Sequence, residues 1–209
     1  MGVELIEFLK KRKKMNLLMT VINVCVFLVL EILGNTNSVQ FMFEHGAMYV
    51  PAVVEGKEYY RLFTCMFLHF GAEHLTMNML LLLFAGDMLE ERVGIIRYLI
   101  IYLGGGLAGN LLSLAVSLQT GEFAVSAGAS GAIFAVIGAL ICIVWKHHGN
   151  APGINGRGLM AMAALNLAQG FFNDGVDGMA HLGGAIGGFI LALLLYRRKK
   201  EVNPWEYEG

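Results

Sequence analysis

Charges are sparse along this chain, and the stretches between them have the lengths of membrane-spanning helices. Residues 15–30 are uncharged, and the apolar run continues past Glu31 to Leu33. Residues 74–86 form a shorter uncharged run that reaches Leu89 across Asp87. Residues 98–121 and 123–145 are uncharged, as are 158–173 and 178–196. A helix that crosses a bilayer needs about 20 mostly apolar residues, within a range of about 17–25. Lipid cannot satisfy exposed backbone groups, so each run is expected to be helical. The pattern predicts an all-α polytopic membrane protein with six transmembrane helices. Residues 1–14 form a basic arm, residues 15–196 the core and residues 197–209 a tail. The first loop, 34–72, is long, and long loops are usually functional or disordered. Its aromatic content (Phe41, Tyr49, Tyr60, Phe63 among others) argues for order, as short amphipathic helices partly embedded in one leaflet.

Composition narrows the class. Hydrophobic residues make up 56% and charged residues 15%, and mean hydropathy is +0.62. Soluble domains usually carry about 25% charged residues. The net charge of −1 lacks the basic excess of a nucleic-acid binder. Cys25, Cys65 and Cys142 are too few and too scattered for a disulfide framework or a zinc cluster. The 27 glycines suggest helices that pack closely.

The positions of Lys and Arg set the orientation. Of 15, 13 fall on one side of a six-span bundle: residues 10–14, Arg92, Arg97, Lys146, Arg157 and residues 197–200. Lys57 and Arg61 fall on the other, in the first loop. Both termini are therefore expected in the cytoplasm. The basic arm and first apolar run resemble a signal peptide, but no cleavage pattern follows, so the run reads as an uncleaved span. Ile6 breaks the myristoylation signal that Gly2 would begin.

Polar groups inside membrane helices mark candidate functional sites. Three sets stand out, and the derived topology puts all three at the outer side. Gly128-Ala129-Ser130-Gly131 begins span four, where a Ser hydroxyl and unpaired backbone N–H groups could attack a carbonyl and hold its oxyanion. Helix capping is the other use of such a Ser. His181 begins span six, on a stripe with Gly184 and Gly188. It could accept the Ser proton, or simply cap its helix. His74 and Asn78 share a face of span two and could donate to an oxyanion, or bond helix to helix. A nucleophile, a base and two donors at one depth form an acyl-transfer constellation. Asp177, four residues before His181, could help orient the ring, but a Ser–His dyad is the favoured reading.

With these motifs in order on separate spans, residues 15–196 resemble a rhomboid intramembrane serine protease. Tyr60-Arg61 resembles the family's Trp-Arg segment of the first loop. The resemblance implies Ser130 as nucleophile and His181 as base. It implies His74, Asn78 and the Ser130 N–H as oxyanion hole, with Gly128, Gly131, Phe134, Gly184 and Gly188 in support. The substrate would be the transmembrane helix of another membrane protein, entering sideways from the bilayer. Phe171 and Phe172 would lie at a lateral gate, and residues 173–179 would cap the site. No cofactor, metal or nucleic acid is called for. The expected location is a bacterial-type cell membrane, with the active site open to the outer side and no seventh span or extra soluble domain. Phe134 stands where the family often has a Tyr against the catalytic His, and Tyr60 where Trp is usual.

Other classes leave different marks. A transporter or channel would line a path with His74, Asn78 and His181, and usually shows internal repeats, which are not visible here. A catalytically inactive rhomboid-like binder would lack the Ser or the His. A metal hydrolase built on His69, Glu73, His74 and His181 lacks the HExxH spacing. His147 and His148 read as cytoplasmic-loop residues, Met160 and Met162 as packing, and Asn166 and Gln169 as bonding across helices.

Overall fold

The computed structural model describes residues 12–149, 151–172 and 175–197, with 169–172 described by backbone alone. Helix α1 (Lys14–Leu33) is followed by three short helices, α2 (Val39–Glu44), α3 (Val50–Val54) and α4 (Arg61–Thr64), and a 3-10 turn at Cys65–Phe67. Five long helices follow among the described residues: α5 (Gly71–Val93), α6 (Ile95–Thr120), α7 (Ser130–Lys146), α8 (Gly156–Phe172) and α9 (Gly178–Leu195). Each predicted apolar run overlaps one of the six long helices. By length and composition, α1, α6 and α9 can cross a membrane, and the α4–3-10 segment with α5 makes a fourth candidate bent by 88°. That is three or four spans by this measure, against the six expected. One difference has a local cause. Residues 123–129, read as the start of span four, are not helical, so α7 has only 17 residues.

Helix α7 is the centre of the bundle. Residues 131–140 are all buried, and its apolar residues face every direction, the pattern of a core helix. It packs most closely on α9, then on α6 and α5, while α8 lies outside against α7 and α9. The outer helix faces carry large apolar side chains, such as Leu28, Val29 and Ile32 on α1 and Leu80 and Phe84 on α5. Ile32 is 84% exposed, and a surface of this kind suits lipid rather than water. Met160 also points outward, contrary to its reading as packing, whereas Met162 lies against the core.

The end of the bundle opposite Ser130 is locked by polar groups. The first N–H groups of a helix have no partner within it. In α1 they are met by carboxylates from α5. Glu90 accepts from the N–H groups of Met15 and Asn16, and Asp87 from that of Lys13. Negative charge beside a helix start is also favourable to its dipole. The Asn16 side chain is fully buried and donates to the Leu82 carbonyl at 3.0 Å and to Asp87 at 2.8 Å. Its own oxygen accepts from the Tyr98 hydroxyl of α6 at 2.7 Å.

Candidate active site

Ser130 is the first residue of α7, and Ala129 occupies the cap position with no side-chain bond. Ser130 is therefore not the cap of its helix. The approach to it is extended and held from the first loop. Ser126 and Met48 exchange backbone hydrogen bonds as an antiparallel bridge. The Gly128 N–H donates to the Cys65 carbonyl at 2.9 Å, and the Ala129 N–H to His69 Nε2 at 3.3 Å. The Ser130 N–H, next in line, has no partner among the described residues. Gly128 has φ +151°, a conformation that side chains disfavour. A Cβ there would also stand 3.1 Å from His74 Nε2 and 3.5 Å from Ser130 Oγ. The bare backbone at Gly128 thus leaves room for His74 and Ser130 to face the same point.

His181 lies in the first turn of α9 and is 7% exposed. Its ring stacks on Phe134 of α7, with centroids 4.3 Å apart and planes at 16°. Its Nδ1 is buried and has no hydrogen-bond partner among the described residues. The close approach of α9 to α7 depends on Gly184 and Gly188. A Cβ on Gly184 would collide with the Gly131 carbonyl oxygen, and one on Gly188 with that of Ala135. Bare glycine surfaces permit this backbone contact, as between helices in membranes.

His74 and Asn78 sit one turn apart at the start of α5. The Asn78 amide donates one hydrogen bond to the His74 carbonyl at 2.9 Å. A second amide N–H remains available. Ser130, His181, His74 and Asn78 all line one cavity of about 800 Å³, with Gly128 and Phe134 also in its wall. Among the described residues, no three His, Cys, Asp or Glu are placed to share a metal ion.

Other expected residues fall elsewhere. Arg61 is 4% exposed and lies within the first loop, away from the cavity wall. It donates to the carbonyls of Phe43 and Ala47, pairs with Glu58 and lies over the Phe43 ring. That hydrogen bond from Arg61, followed by one from Tyr60, holds the Glu58 carboxyl below its ordinary value. Arg61 thus fastens the first loop together. Asn166 bonds to the Met162 carbonyl of its own helix, not across helices, and reaches the cavity wall. The side chains of Gln169, Phe171 and Phe172, and residues 173–174 of the capping loop, lie outside the described residues.

Three contributors have no place in the acyl-transfer reading of the sequence. His69 is fully buried, receives the Ala129 N–H and meets His74 edge to face at 5.2 Å. Asn110 and Ser113 are buried on α6. The Asn110 amide donates to the Leu62 carbonyl at 2.7 Å and meets Cys65 Sγ at 3.1 Å. Their spacing of three puts both on one face of a largely apolar helix, and this was the available signal.

The sequence pattern of the Rhomboid domain matches residues 56–198. The chain belongs to the rhomboid family. It is 34% identical over 174 residues to the Rhomboid protease GluP of Bacillus subtilis, covering 83% of this chain and 33% of that protein. It is 40% identical over 156 residues to RHOMBOID-like protein 4 of Arabidopsis thaliana, covering 73% of this chain and 38% of that protein. RHOMBOID-like protein 1 of the same plant is 38% identical over 156 residues, covering 73% and 39%. The chain thus spans between a third and two fifths of the length of these relatives. Family and apolar helices together make this rhomboid an all-helical integral membrane protein.

Proposed function

We propose that this rhomboid is an intramembrane serine endopeptidase that cleaves peptide bonds in or near the transmembrane segments of other membrane proteins. The observation that carries the reading is the convergence of Ser130, His181, His74 and Asn78 on one cavity. Kinship with a protein named as a rhomboid protease supports it.

In this mechanism the Ser130 hydroxyl attacks the scissile carbonyl carbon while His181 takes its proton. The carbonyl oxygen becomes an oxyanion. It receives hydrogen bonds from the unpaired Ser130 N–H, the second Asn78 amide N–H and His74. Collapse of the intermediate breaks the C–N bond, and protonated His181 returns its proton to the leaving amine. The acyl-enzyme on Ser130 is then attacked by water, with His181 again as base. Hydrolysis regenerates the hydroxyl and releases the carboxylate. A helical substrate carbonyl is already hydrogen-bonded, so the segment must unwind locally before attack. Phe134 supplies a flat apolar face for the His181 ring in place of the family's frequent Tyr. In the same reading all six long helices cross the bilayer, both termini are cytoplasmic, and the cavity opens outward. Substrate enters sideways past the end of α8.

The test is cleavage of a model transmembrane-helix substrate by the purified chain in detergent. Wild-type protein is expected to cut, and Ser130→Ala to lose at least about 10⁴-fold in kcat, as in other serine proteases. Undiminished cleavage by Ser130→Ala would overturn the assignment of the nucleophile.

A further inference from the structure

Asp177 stands at the N-cap of α9, four residues before His181. One of its oxygens accepts the Ala180 N–H at 2.9 Å. The other accepts the hydroxyl of Ser113, buried on α6, at 2.6 Å. Neither bond involves the imidazole, whose Nδ1 has no partner among the described residues. We propose that Ser113 and Asp177 form a clamp that positions His181 by fixing the first turn of α9, without touching the imidazole. The proposal rests on the reading of His181 as general base.

Three features of the first turn of α9 support the clamp. A helix start is prone to fray because its first N–H groups lack partners, and here that start borders a cavity. Asp177 supplies the missing acceptor, and its charge suits the helix dipole. Ser113 ties the same carboxylate to the long helix α6 through a short, charge-assisted hydrogen bond. The captured residue, Ala180, is also wedged. Its carbonyl oxygen lies where a Cβ on Gly109 of α6 would collide, and 3.5 Å from the Cβ position of Gly131, the neighbour of Ser130. The turn that carries His181 is therefore fixed to α6 by a side-chain clamp and fitted against the start of α7. The ring itself is oriented by Phe134.

A clamp and a catalytic triad predict opposite behaviour of one conservative variant. The clamp needs an acceptor for the Ala180 N–H and a partner for the Ser113 hydroxyl. Asn supplies both, through its carbonyl oxygen and its amide N–H. A triad needs the carboxylate itself, and replacing it with Asn costs about 10⁴-fold in kcat in a soluble serine protease.

The experiment compares the wild-type chain, Asp177→Asn, Asp177→Ala and Ser113→Ala in detergent. It measures kcat and KM on a transmembrane-helix substrate, and hydrogen exchange across residues 178–184. Asp177→Ala is expected to lose about 10- to 100-fold in kcat, the scale of a small misplacement. Its KM stays unchanged, and exchange in the first turn of α9 speeds up. Asp177→Asn stays near wild type in both readouts. Ser113→Ala moves both in the direction of Asp177→Ala but less, and it carries the test should Asp177→Ala fail to fold. An Asp177→Asn enzyme as damaged as Asp177→Ala would overturn the clamp in favour of a triad. Unchanged exchange in Asp177→Ala, or in Ser113→Ala where that variant carries the test, would overturn it outright. Faster exchange in a chain with no Ser130-dependent cleavage would support the clamped turn and count against the protease reading alone.

Discussion

The two ends of the bundle use buried polar groups in opposite ways. At the end marked by Asn16, donors and acceptors are matched across three helices. The amide of Asn16, the hydroxyl of Tyr98 and the carboxylates of Asp87 and Glu90 all have partners. At the Ser130 end, polar groups are held in place but left open. The Ser130 N–H has no partner among the described residues, and neither does His181 Nδ1. Buried polar groups are normally hydrogen-bonded, and unpaired ones are costly in low dielectric. A matched network is a lock. In the proposed mechanism the unpaired N–H of Ser130, a residue of the cavity wall, is completed by the oxyanion of the reacting group.

This contrast can be broken by substitutions at either end. At the open end, His74→Ala and Asn78→Ala are each expected to lower kcat by about 10²–10³. Melting temperature should hardly move, because the Asn78 side chain makes its one bond within its own helix. Full kcat in both variants, by steady-state cleavage assay, would remove the oxyanion hole from the account. At the locked end, Asn16→Ala leaves the buried Tyr98 hydroxyl without its acceptor and removes one of the donors to Asp87, and should destabilise the fold by about 1–3 kcal/mol. Thermal unfolding in detergent reads this, and kcat per folded molecule should be unchanged. A large fall in kcat without a stability loss would mean that the ends do not divide the work.

The smallest effect belongs to the first loop, which holds the approach to Ser130. Glu58 is held below its ordinary value near 4.5 by Arg61. A depressed carboxyl contributes stability above the unfolded-state value and loses it as pH falls through the folded one. Glu58→Gln should therefore flatten the pH dependence of melting temperature only below about pH 4.5. An equal effect at pH 7 and pH 4 would show that the charge is not what Arg61 uses.

Much of this arrangement was legible in the sequence, because hydropathy is a local property. The uncharged runs overlap the six long helices, and the three motifs fall at helix starts that share one end. Non-local bonds were not legible. Residues 123–129 are uncharged and so extended the expected helix, yet their backbone is held out by Met48, Cys65 and His69. Asp177 has the spacing of a residue that faces His181 on the same helix. In the structure it precedes the first turn and caps it, so helical periodicity does not apply to it. Arg61 offered a charge in a loop, and only the carbonyls of Phe43 and Ala47 explain why it is buried.

The central claim, that Ser130 is activated by His181 in a shared cavity, is tested most directly by a fluorophosphonate probe read by mass spectrometry on the purified chain. The account predicts a single adduct on Ser130 that disappears in Ser130→Ala and in His181→Ala. An adduct on another residue, or undiminished labelling of Ser130 in His181→Ala, would contradict it.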